Sequence, residues 1–332
     1  MKKLPEVNQS FEDLFKMLLA PIRSKLLLTG IELKVFNQLS EPKSAYAVSQ
    51  AIATHPANTR VFLDSLTAID LLQKKNGLYR NSPIAQAFLV EGSPTYLGAL
   101  LQLQYSQISP ENLSQLIREG PQPTPGMAFS EEMFAQEYAS GERAGNAQMM
   151  VDVVSELPEF PSFRKMLDLG GGPGLIGMAV VAAHPSMKGV IFDLPPVVKV
   201  AETFIKEYGM EARMGVLGGD GFRDSIGEGY DLVLVCFSLQ GYKDKLDSVV
   251  KKVYDALNPS GVFISYFYGL THERTKPEIC VLSLLSTALA GHDAGFDQGF
   301  VADSMLRVGF KSVRSRTLNT PWGPIELDIA RK

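Results

Sequence analysis

Apolar and polar positions follow one pattern in the first part of the chain and another in the second. Between Phe11 and Leu89, apolar residues recur every three or four positions, which predicts amphipathic helices separated by short polar breaks. Gly30 is expected to cap the first helix at its C-terminus. The further helices are predicted over residues 31–39, 44–54 and 60–75.

A hairpin is predicted directly after these helices. Asn76-Gly77 is a strong turn signal between short apolar runs. Three helices and a hairpin are the layout of a winged helix, a fold that often binds DNA. The third helix carries Arg60 and Asp64 but no basic stripe, so we do not expect DNA binding. The first helix is unusually apolar for a surface helix, and we expect it to form a dimer interface.

From Lys165 onward, short apolar runs alternate with helical patterns. This alternation predicts a mainly parallel sheet with helices on both faces. The tail adds a helix and two strands, one of them reversed. We therefore expect an α/β fold: a mainly α winged-helix domain over residues 1–100, then a Rossmann-like doubly wound domain over residues 101–332. The five predicted strands of the alternating part cover residues 165–170, 189–194, 212–220, 230–239 and 261–268.

Composition narrows the class of protein. The 332 residues are 45% hydrophobic with a net charge of -4, which excludes a disordered chain and gives no footprint of a nucleic-acid binder. The two cysteines, Cys236 and Cys280, lie in apolar runs and form no disulfide framework. Neither a secretory leader nor an apolar run of about 20 residues is found. We expect a cytoplasmic protein without membrane or nucleic-acid partners.

The candidate chemistry lies at the end of the first parallel strand. Asp168 is followed by a turn with glycine at 170, 171, 172 and 174, which opens a helix. Such glycines let a ligand approach the backbone and the N–H groups of the helix N-terminus, so the turn predicts a nucleotide-like cofactor. Residues 172–177 also match G-x-G-x-x-G, and Asp193 ends the next strand, as in NAD-binding proteins.

Two carboxylates favour S-adenosylmethionine over NAD. Asp168 would repel a pyrophosphate but suits a cationic sulfonium and amino group. Asp220, after the third strand, can accept a hydrogen bond from an adenine amine, with Phe222 packed beside the ring. The other interpretation of Asp220 is that it only forms a turn.

Four successive motifs make the chain resemble a known family. The successive motifs LDLGGGPG, FDLPPVV, GGDGF and YDLVLVCFSLQGYKDK are similar to those of the class I S-adenosylmethionine-dependent O-methyltransferases of the plant caffeic acid and bacterial polyketide type. The N-terminal half resembles the winged-helix dimerisation domain of that family. The resemblance implies methyl transfer to a small aromatic or conjugated molecule by a homodimer. The N-terminal domain would help to roof the active site of the partner.

The resemblance also implies roles for particular residues. Gly170 would contact the methionine part of the cofactor, and Gly172 in the same loop is a further cofactor-binding residue. Asp193 would hold the ribose hydroxyls, and Cys236 would line the cofactor at a position where the family often has lysine. The remaining implied cofactor contacts are Leu194 beside the ribose and Asp220, Gly221 and Phe222 around the adenine.

One departure from the family pattern affects the mechanism. The family usually has a histidine general base after the fourth strand, and Gln240 stands at that position. Because an amide cannot take a proton at neutral pH, Gln240 can only orient the acceptor by hydrogen bonding. The acceptor would then already be nucleophilic, or another group would be the base. His292 with Asp293 is the first candidate for that base.

Other interpretations of these residues stay open. His292 and Asp293 could bind a metal together with Asp297, or could be solvated loop residues. His272 and Glu273 are a second candidate pair. The alternative functions are an NAD-dependent oxidoreductase, a non-catalytic or non-methylating relative of the methyltransferase fold, and a ligand-sensing winged-helix regulator.

Overall fold

The computed structural model describes residues 4–108, 113–121, 130–293 and 295–332, which form two compact units that divide between residues 102 and 103. The helices are α1 (Glu12–Glu32), α2 (Ala45–Ala51), α3 (Pro56–Ala68), α4 (Pro83–Phe88), α5 (Gly98–Ile108), α6 (Leu113–Glu119), α7 (Glu131–Gly141), α8 (Ala147–Ser155), α9 (Leu175–Ala182), α10 (Pro195–Glu207), α11 (Leu246–Ala256), α12 (Glu278–Leu289) and α13 (Phe300–Val308). The strands are β1 (Lys43–Ser44), β2 (Leu72–Lys75), β3 (Leu78–Asn81), β4 (Lys165–Leu169), β5 (Lys188–Asp193), β6 (Met214–Gly218), β7 (Tyr230–Cys236), β8 (Leu257–Phe267), β9 (Gly269–Leu270), β10 (Phe296–Asp297), β11 (Ser312–Thr320) and β12 (Gly323–Arg331).

The first unit has the expected winged-helix layout. Strands β2 and β3 form the hairpin around Asn76-Gly77, where both residues have positive φ, +51° and +78°. Strand β1 pairs antiparallel with β3, which gives the order β1-β3-β2. The hydrophobic core of this unit includes the fully buried side chains of Phe36, Leu39, Leu63 and Leu66.

Three of the expected helices differ from the structure in their bounds or type. Helix α1 continues past Gly30 to Glu32, and Gly30 is glycine because a Cβ there would lie 2.8 Å from Cε2 of Phe36. The expected helix over 31–39 is one 3₁₀ turn, since Lys34 has φ +53° and interrupts the helical backbone. Helix α3 begins at Pro56, a favourable first helical residue, and ends at Ala68, because Asp70 has φ +64° and the hairpin begins at Leu72.

Helix α1 carries an unusual number of exposed apolar side chains. Leu14 is 67% exposed, Phe15 57%, Leu18 69% and Ile22 53%. A contiguous apolar surface of this kind is typical of an association site. None of the described helices is long and apolar enough to cross a membrane.

The second unit is built on the predicted doubly wound sheet. Its seven strands lie in the order β11-β12-β8-β7-β4-β5-β6. All neighbouring pairs from β8 to β6 are parallel, whereas β12 is antiparallel to both β8 and β11. The expected reversed strand is therefore β12, and it lies inside the sheet.

Both faces of this sheet are covered by helices. Along β7, Leu232 and Leu234 pack into the cluster that contains α8, α9 and α10, whereas Val233 and Val235 pack with α11 and α13. All four side chains are buried, as expected for a parallel strand covered on both faces. The carboxyl edge of the strands is where such folds bind ligands.

Gly30 gives a test of the packing in the first unit. Because Phe36 is fully buried and cannot move aside, Gly30→Ala should lower the free energy of unfolding by about 1–3 kcal/mol. Urea unfolding measures the change. The control is Gly215→Ala on β6, where no atom lies within 4 Å of the added methyl group. Equal stability of the two variants would contradict this account of Gly30.

Candidate active site

The turn between β4 and α9 is built around the carboxylate of Asp168. Its Oδ2 accepts a hydrogen bond from the Gly177 N–H at 3.0 Å. A Cβ at Gly171 would lie 2.7 Å from Asp168 Cγ, and one at Gly177 would lie 2.7 Å from Oδ2. Glycine is therefore needed at both positions to make room for this carboxylate.

Asp168 has an unusual protonation equilibrium. The residue is 1% exposed, and burial raises the pKa of its carboxyl to about 7, although the Gly177 N–H opposes the rise. The nearby charge of Asp193 raises this pKa further. Near neutral pH, Asp168 is therefore divided between its neutral and ionised forms.

Asp193 fixes the other side of the glycine turn. Its Oδ2 accepts a hydrogen bond from the Gly172 N–H at 2.8 Å, and its Oδ1 accepts one from the Leu194 N–H at 2.7 Å. Burial raises the pKa of Asp193. Leu194 itself is exposed. The structure thus brings Asp193 and Gly172 together at the carboxyl ends of β4 and β5.

A third carboxylate, Glu142, was missed by the sequence analysis. It lies in a π-helical turn (Glu142–Asn146) between α7 and α8, where Gly145 has φ +135°. Its Oε2 accepts a hydrogen bond from the Ile176 N–H at 3.2 Å, and the Leu175 N–H also interacts with it. Burial, reinforced by the charge of Asp168, raises its pKa well above the usual value. The feature of the sequence that could have drawn attention to Glu142 is the pair of nearby glycines, Gly141 and Gly145.

The N–H groups of the glycine turn are already paired. Residues 170–178 are all described, and each N–H among them has a protein partner; Pro173 has none to offer. A phosphate would find no free N–H in this turn, which argues against the NAD alternative. The accepting groups are Phe192 O for residues 170 and 171, Asp193 for 172, Gly171 O for 174, Glu142 for 175 and 176, Asp168 for 177 and Gly174 O for 178.

Asp220 organises the turn after β6. Its Oδ1 accepts hydrogen bonds from the N–H groups of Phe222 at 2.8 Å and Arg223 at 3.3 Å. Both hydrogen bonds lower the pKa of Asp220, and the bond from the Phe222 N–H has the larger effect. Asp220 therefore forms a turn, as one of its two interpretations predicted. Phe222 is partly buried, and Lys245 Nζ lies 4.3 Å from its ring centroid.

The end of β7 brings sulfur and aromatic groups beside the glycine turn. Burial raises the pKa of Cys236 well above the usual value, and the charges of Asp168 and Glu142 add to the rise, so its thiol stays neutral. Phe237, with φ +55°, packs edge-on against Tyr266 at 5.0 Å between ring centroids. A Cβ at Gly170 would lie 2.4 Å from the side chain of Ser238, the next residue.

Gln240 lies in the 3₁₀ segment Leu239–Lys245 that follows β7. Its Oε1 is buried and has no hydrogen-bond partner among the described residues. Leaving such an acceptor unpaired costs about 1–3 kcal/mol, so the atom is suited to a donor from a bound molecule. Two residues further on, the Tyr242 oxygen receives a hydrogen bond from the N–H of Gly221.

The carboxylate of Asp293 forms salt bridges with two basic side chains and does not pair with His292. Its Oδ2 lies 2.5 Å from Lys243 Nζ, and its Oδ1 lies 2.6 Å from Arg274 Nη2. Burial alone would raise the pKa of Asp293, but these two partners lower it. His292 is exposed. Asp293 thus ties the segment that carries Gln240 to the turn that carries Arg274, through two partners that the sequence analysis did not predict.

The remaining candidates for an acid–base or metal site do not form such a site with one another. Both His272 and Glu273 are exposed turn residues with positive φ, +52° and +54°, and His272 Nδ1 lies 3.0 Å from Thr271 Oγ1. Asp297 pairs with Arg274 at 3.4 Å. Within the described ranges, no group of three or more His, Cys, Asp or Glu side chains is arranged to hold a metal ion.

Fold and site together define a Rossmann-like methyltransferase preceded by a winged-helix dimerisation domain. Residues 125–286 match the O-methyltransferase domain, and residues 15–91 match the O-methyltransferase dimerisation domain. The chain belongs to the S-adenosylmethionine-dependent O-methyltransferase family, and its cofactor is S-adenosylmethionine. The dimerisation domain includes most of α1 with its exposed apolar side chains and supports a homodimer.

Relatives of the chain differ in the atom that they methylate. The chain is 29% identical to the N,N-dimethyltransferase OxyT of Streptomyces rimosus over 76% of its own length and 77% of the relative. It is 26% identical to the tetracenomycin polyketide synthesis 8-O-methyl transferase TcmO of Streptomyces glaucescens, over 96% of both chains. Human N-acetylserotonin methyltransferase, solved in complex with SAM, shares the fold with a TM-score of 0.78 at 21% identity over 99% of both chains.

Asp168→Asn should make the protein more stable above neutral pH. A folded-state pKa of about 7 exceeds the unfolded value of about 3.9, so the wild type loses stability as pH rises between them. The variant lacks this loss. Its advantage in urea unfolding should be greater at about pH 8 than at about pH 5, by on the order of 2 kcal/mol.

The control for this comparison is Asp255→Asn, which removes an exposed carboxylate on α11. Its effect should be nearly the same at both pH values. If the advantage of Asp168→Asn did not grow with pH, Asp168 would have an ordinary pKa in the folded protein.

Asp293→Asn should loosen the segment that carries Gln240. Loss of both cationic partners should lower kcat/KM about threefold to tenfold, because the geometry at Gln240 would be held less tightly. His292→Ala should leave kcat/KM unchanged, since that side chain is exposed. Steady-state kinetics of both variants measure this. A larger loss for His292→Ala would restore histidine as the base.

Proposed function

We propose that the protein methylates a small aromatic or conjugated molecule and that Gln240 orients the acceptor without deprotonating it. The supporting observation is the buried Oε1 of Gln240, which has no partner among the described residues. A hydroxyl, amine or thiol group of an acceptor could donate to it. The role assigned to Gln240 is therefore that of a hydrogen-bond acceptor at the position where the family usually has histidine.

The residues present fit a cationic cofactor. Three carboxylates, from Asp168, Asp193 and Glu142, surround the glycine turn. Gly172 faces open space, since a Cβ there would have no neighbouring atom within 4 Å. S-adenosylmethionine supplies an electrophilic methyl group on a positively charged sulfur. Asp193 and Leu194 would bind its ribose side, Gly170 and Gly172 its methionine side, and Asp220, Gly221, Phe222 and Cys236 would complete the site.

The protein would contribute orientation and the exclusion of water. In-line transfer needs donor and acceptor held close together, and this positioning can supply much of the rate enhancement. Neither Gln240 nor the neutral thiol of Cys236 takes up a proton at neutral pH. Since His292 is exposed and Asp293 is bound to Lys243 and Arg274, the acceptor should lose its proton to water, before or after transfer.

Aromatic side chains at the carboxyl ends of β7 and β8 suit an aromatic acceptor. Phe237 packs edge-on against Tyr266 and Tyr268, with ring centroids 5.0 and 5.1 Å apart. Aromatic groups favour edge and offset contacts with other rings. The relatives include enzymes named for O- and for N-methylation, so acceptors of both kinds should be tried. We propose that the protein acts as a homodimer in the cytoplasm.

The experiment is a methyl-transfer assay with phenols of graded acidity, together with thiols and amines. For the wild type, the pH midpoint of kcat/KM should move from phenol to phenol with the pKa of the phenol itself. Gln240→Leu should lower kcat/KM about tenfold without moving these midpoints, because it removes one hydrogen bond. Gln240→His should give a pH midpoint of about 6.5 that no longer follows the pKa of the phenol.

The matched control is Gln148→Leu on α8, an exposed position outside this site. It should leave both kcat/KM and the midpoints unchanged. A wild-type midpoint that is the same for every phenol would mean that a group of the protein is the base, and the role proposed for Gln240 would then be wrong.

A further inference from the structure

The N-terminus of α9 is covered by protein carboxylates. In nucleotide-binding folds, the N–H groups at this place bind phosphate. Here the Ile176 N–H donates to Glu142 at 3.2 Å and the Gly177 N–H donates to Asp168 at 3.0 Å. The partial positive charge of the helix end is thus already used by two acidic side chains.

The groups that face Glu142 leave its charge poorly balanced. Asp168 approaches from β4 and disfavours added negative charge, and Cys236 on β7 is a neutral thiol that supplies no positive charge. The charge of Arg143 opposes the rise in the pKa of Glu142 as the smallest of the effects on that pKa, and its guanidinium lies over the Phe204 ring of α10, 5.4 Å from the centroid. A cation entering this site would therefore relieve repulsion between carboxylates, whereas an anion would increase it.

We propose that Glu142 makes the cofactor site selective for the positively charged methyl donor over its uncharged-sulfur product. The inference rests on the proposed function, in which the donor is S-adenosylmethionine. The donor and S-adenosylhomocysteine differ by one methyl group and one positive charge. A carboxylate beside the site discriminates between them through that charge, because burial weakens the screening of charges by solvent.

Protons are coupled to this selectivity. Burial and the charge of Asp168 raise the pKa of Glu142 and so shift its equilibrium toward the protonated form in the free site. A bound cation favours the ionised form, so binding of the donor releases a proton and its affinity rises with pH. The product has no sulfonium charge, so its affinity should depend less on pH. After each transfer, the same carboxylate therefore favours exchange of product for new donor.

Titration calorimetry of the full chain with S-adenosylmethionine and S-adenosylhomocysteine tests the proposal. Glu142→Gln keeps an oxygen that can accept from Ile176 but removes the charge. The ratio of the two dissociation constants should shift against the methyl donor by about fivefold or more in this variant. In the wild type, the same ratio should favour the donor more strongly at about pH 8 than at about pH 6, and Glu142→Gln should reduce that dependence.

The matched control is Glu137→Gln, another partly buried glutamate of the preceding helix α7, whose pKa is also raised by burial. It should leave the ratio unchanged. Retained binding of S-adenosylhomocysteine shows that the Glu142→Gln site is folded. A wild type that binds the donor, with a ratio unaffected by Glu142→Gln, overturns the inference alone. A wild type that binds neither molecule overturns the proposed function and the inference with it.

Discussion

The hydrogen bond between the Asp168 carboxylate and the Gly177 N–H is the constraint on which the site depends. A carboxylate that is 1% exposed needs a partner and space; the first turn of α9 supplies the partner, and glycines in that turn and in the preceding loop supply the space. The need for space fixes glycine at 171 and 177, and these glycines fix the path from β4 into the helix. Glycine is thus required at these two positions because a side chain would clash with Asp168, and not because a ligand must approach the backbone there.

The same constraint sets the electrostatics around it. Asp168 and Glu142 each raise the pKa of Cys236, and Asp168 raises that of Glu142, so the groups cannot all be charged without mutual repulsion. An arrangement of this kind lowers the stability of the free protein. Proteins keep such groups where ligand binding compensates for the loss. The cationic methyl donor therefore compensates, when bound, for the repulsion among the carboxylates of the turn.

The sequence predicted the parts of the fold that depend on local pattern. The alternating strands, the Asn76-Gly77 hairpin and the reversed strand near the end were all confirmed. Gly30 was misinterpreted because its reason is Phe36, a tertiary neighbour that periodicity does not reveal. Similarly, Asp293 follows His292 in the sequence, but its carboxylate is held by Lys243 and Arg274, which come from distant segments.

The strand order has a consequence for how the chain acquires its structure. Strand β4 lies in the middle of its sheet, yet one of its neighbours, β7, follows only after two intervening strands, and β12 pairs with β8 across α12 and α13. Contacts between distant segments form slowly, whereas helices and hairpins form early. The winged-helix unit should therefore reach its native packing while the larger sheet is still incomplete, with its central apolar strands uncovered. During synthesis, that interval is when the protein is most exposed to aggregation and most dependent on chaperones.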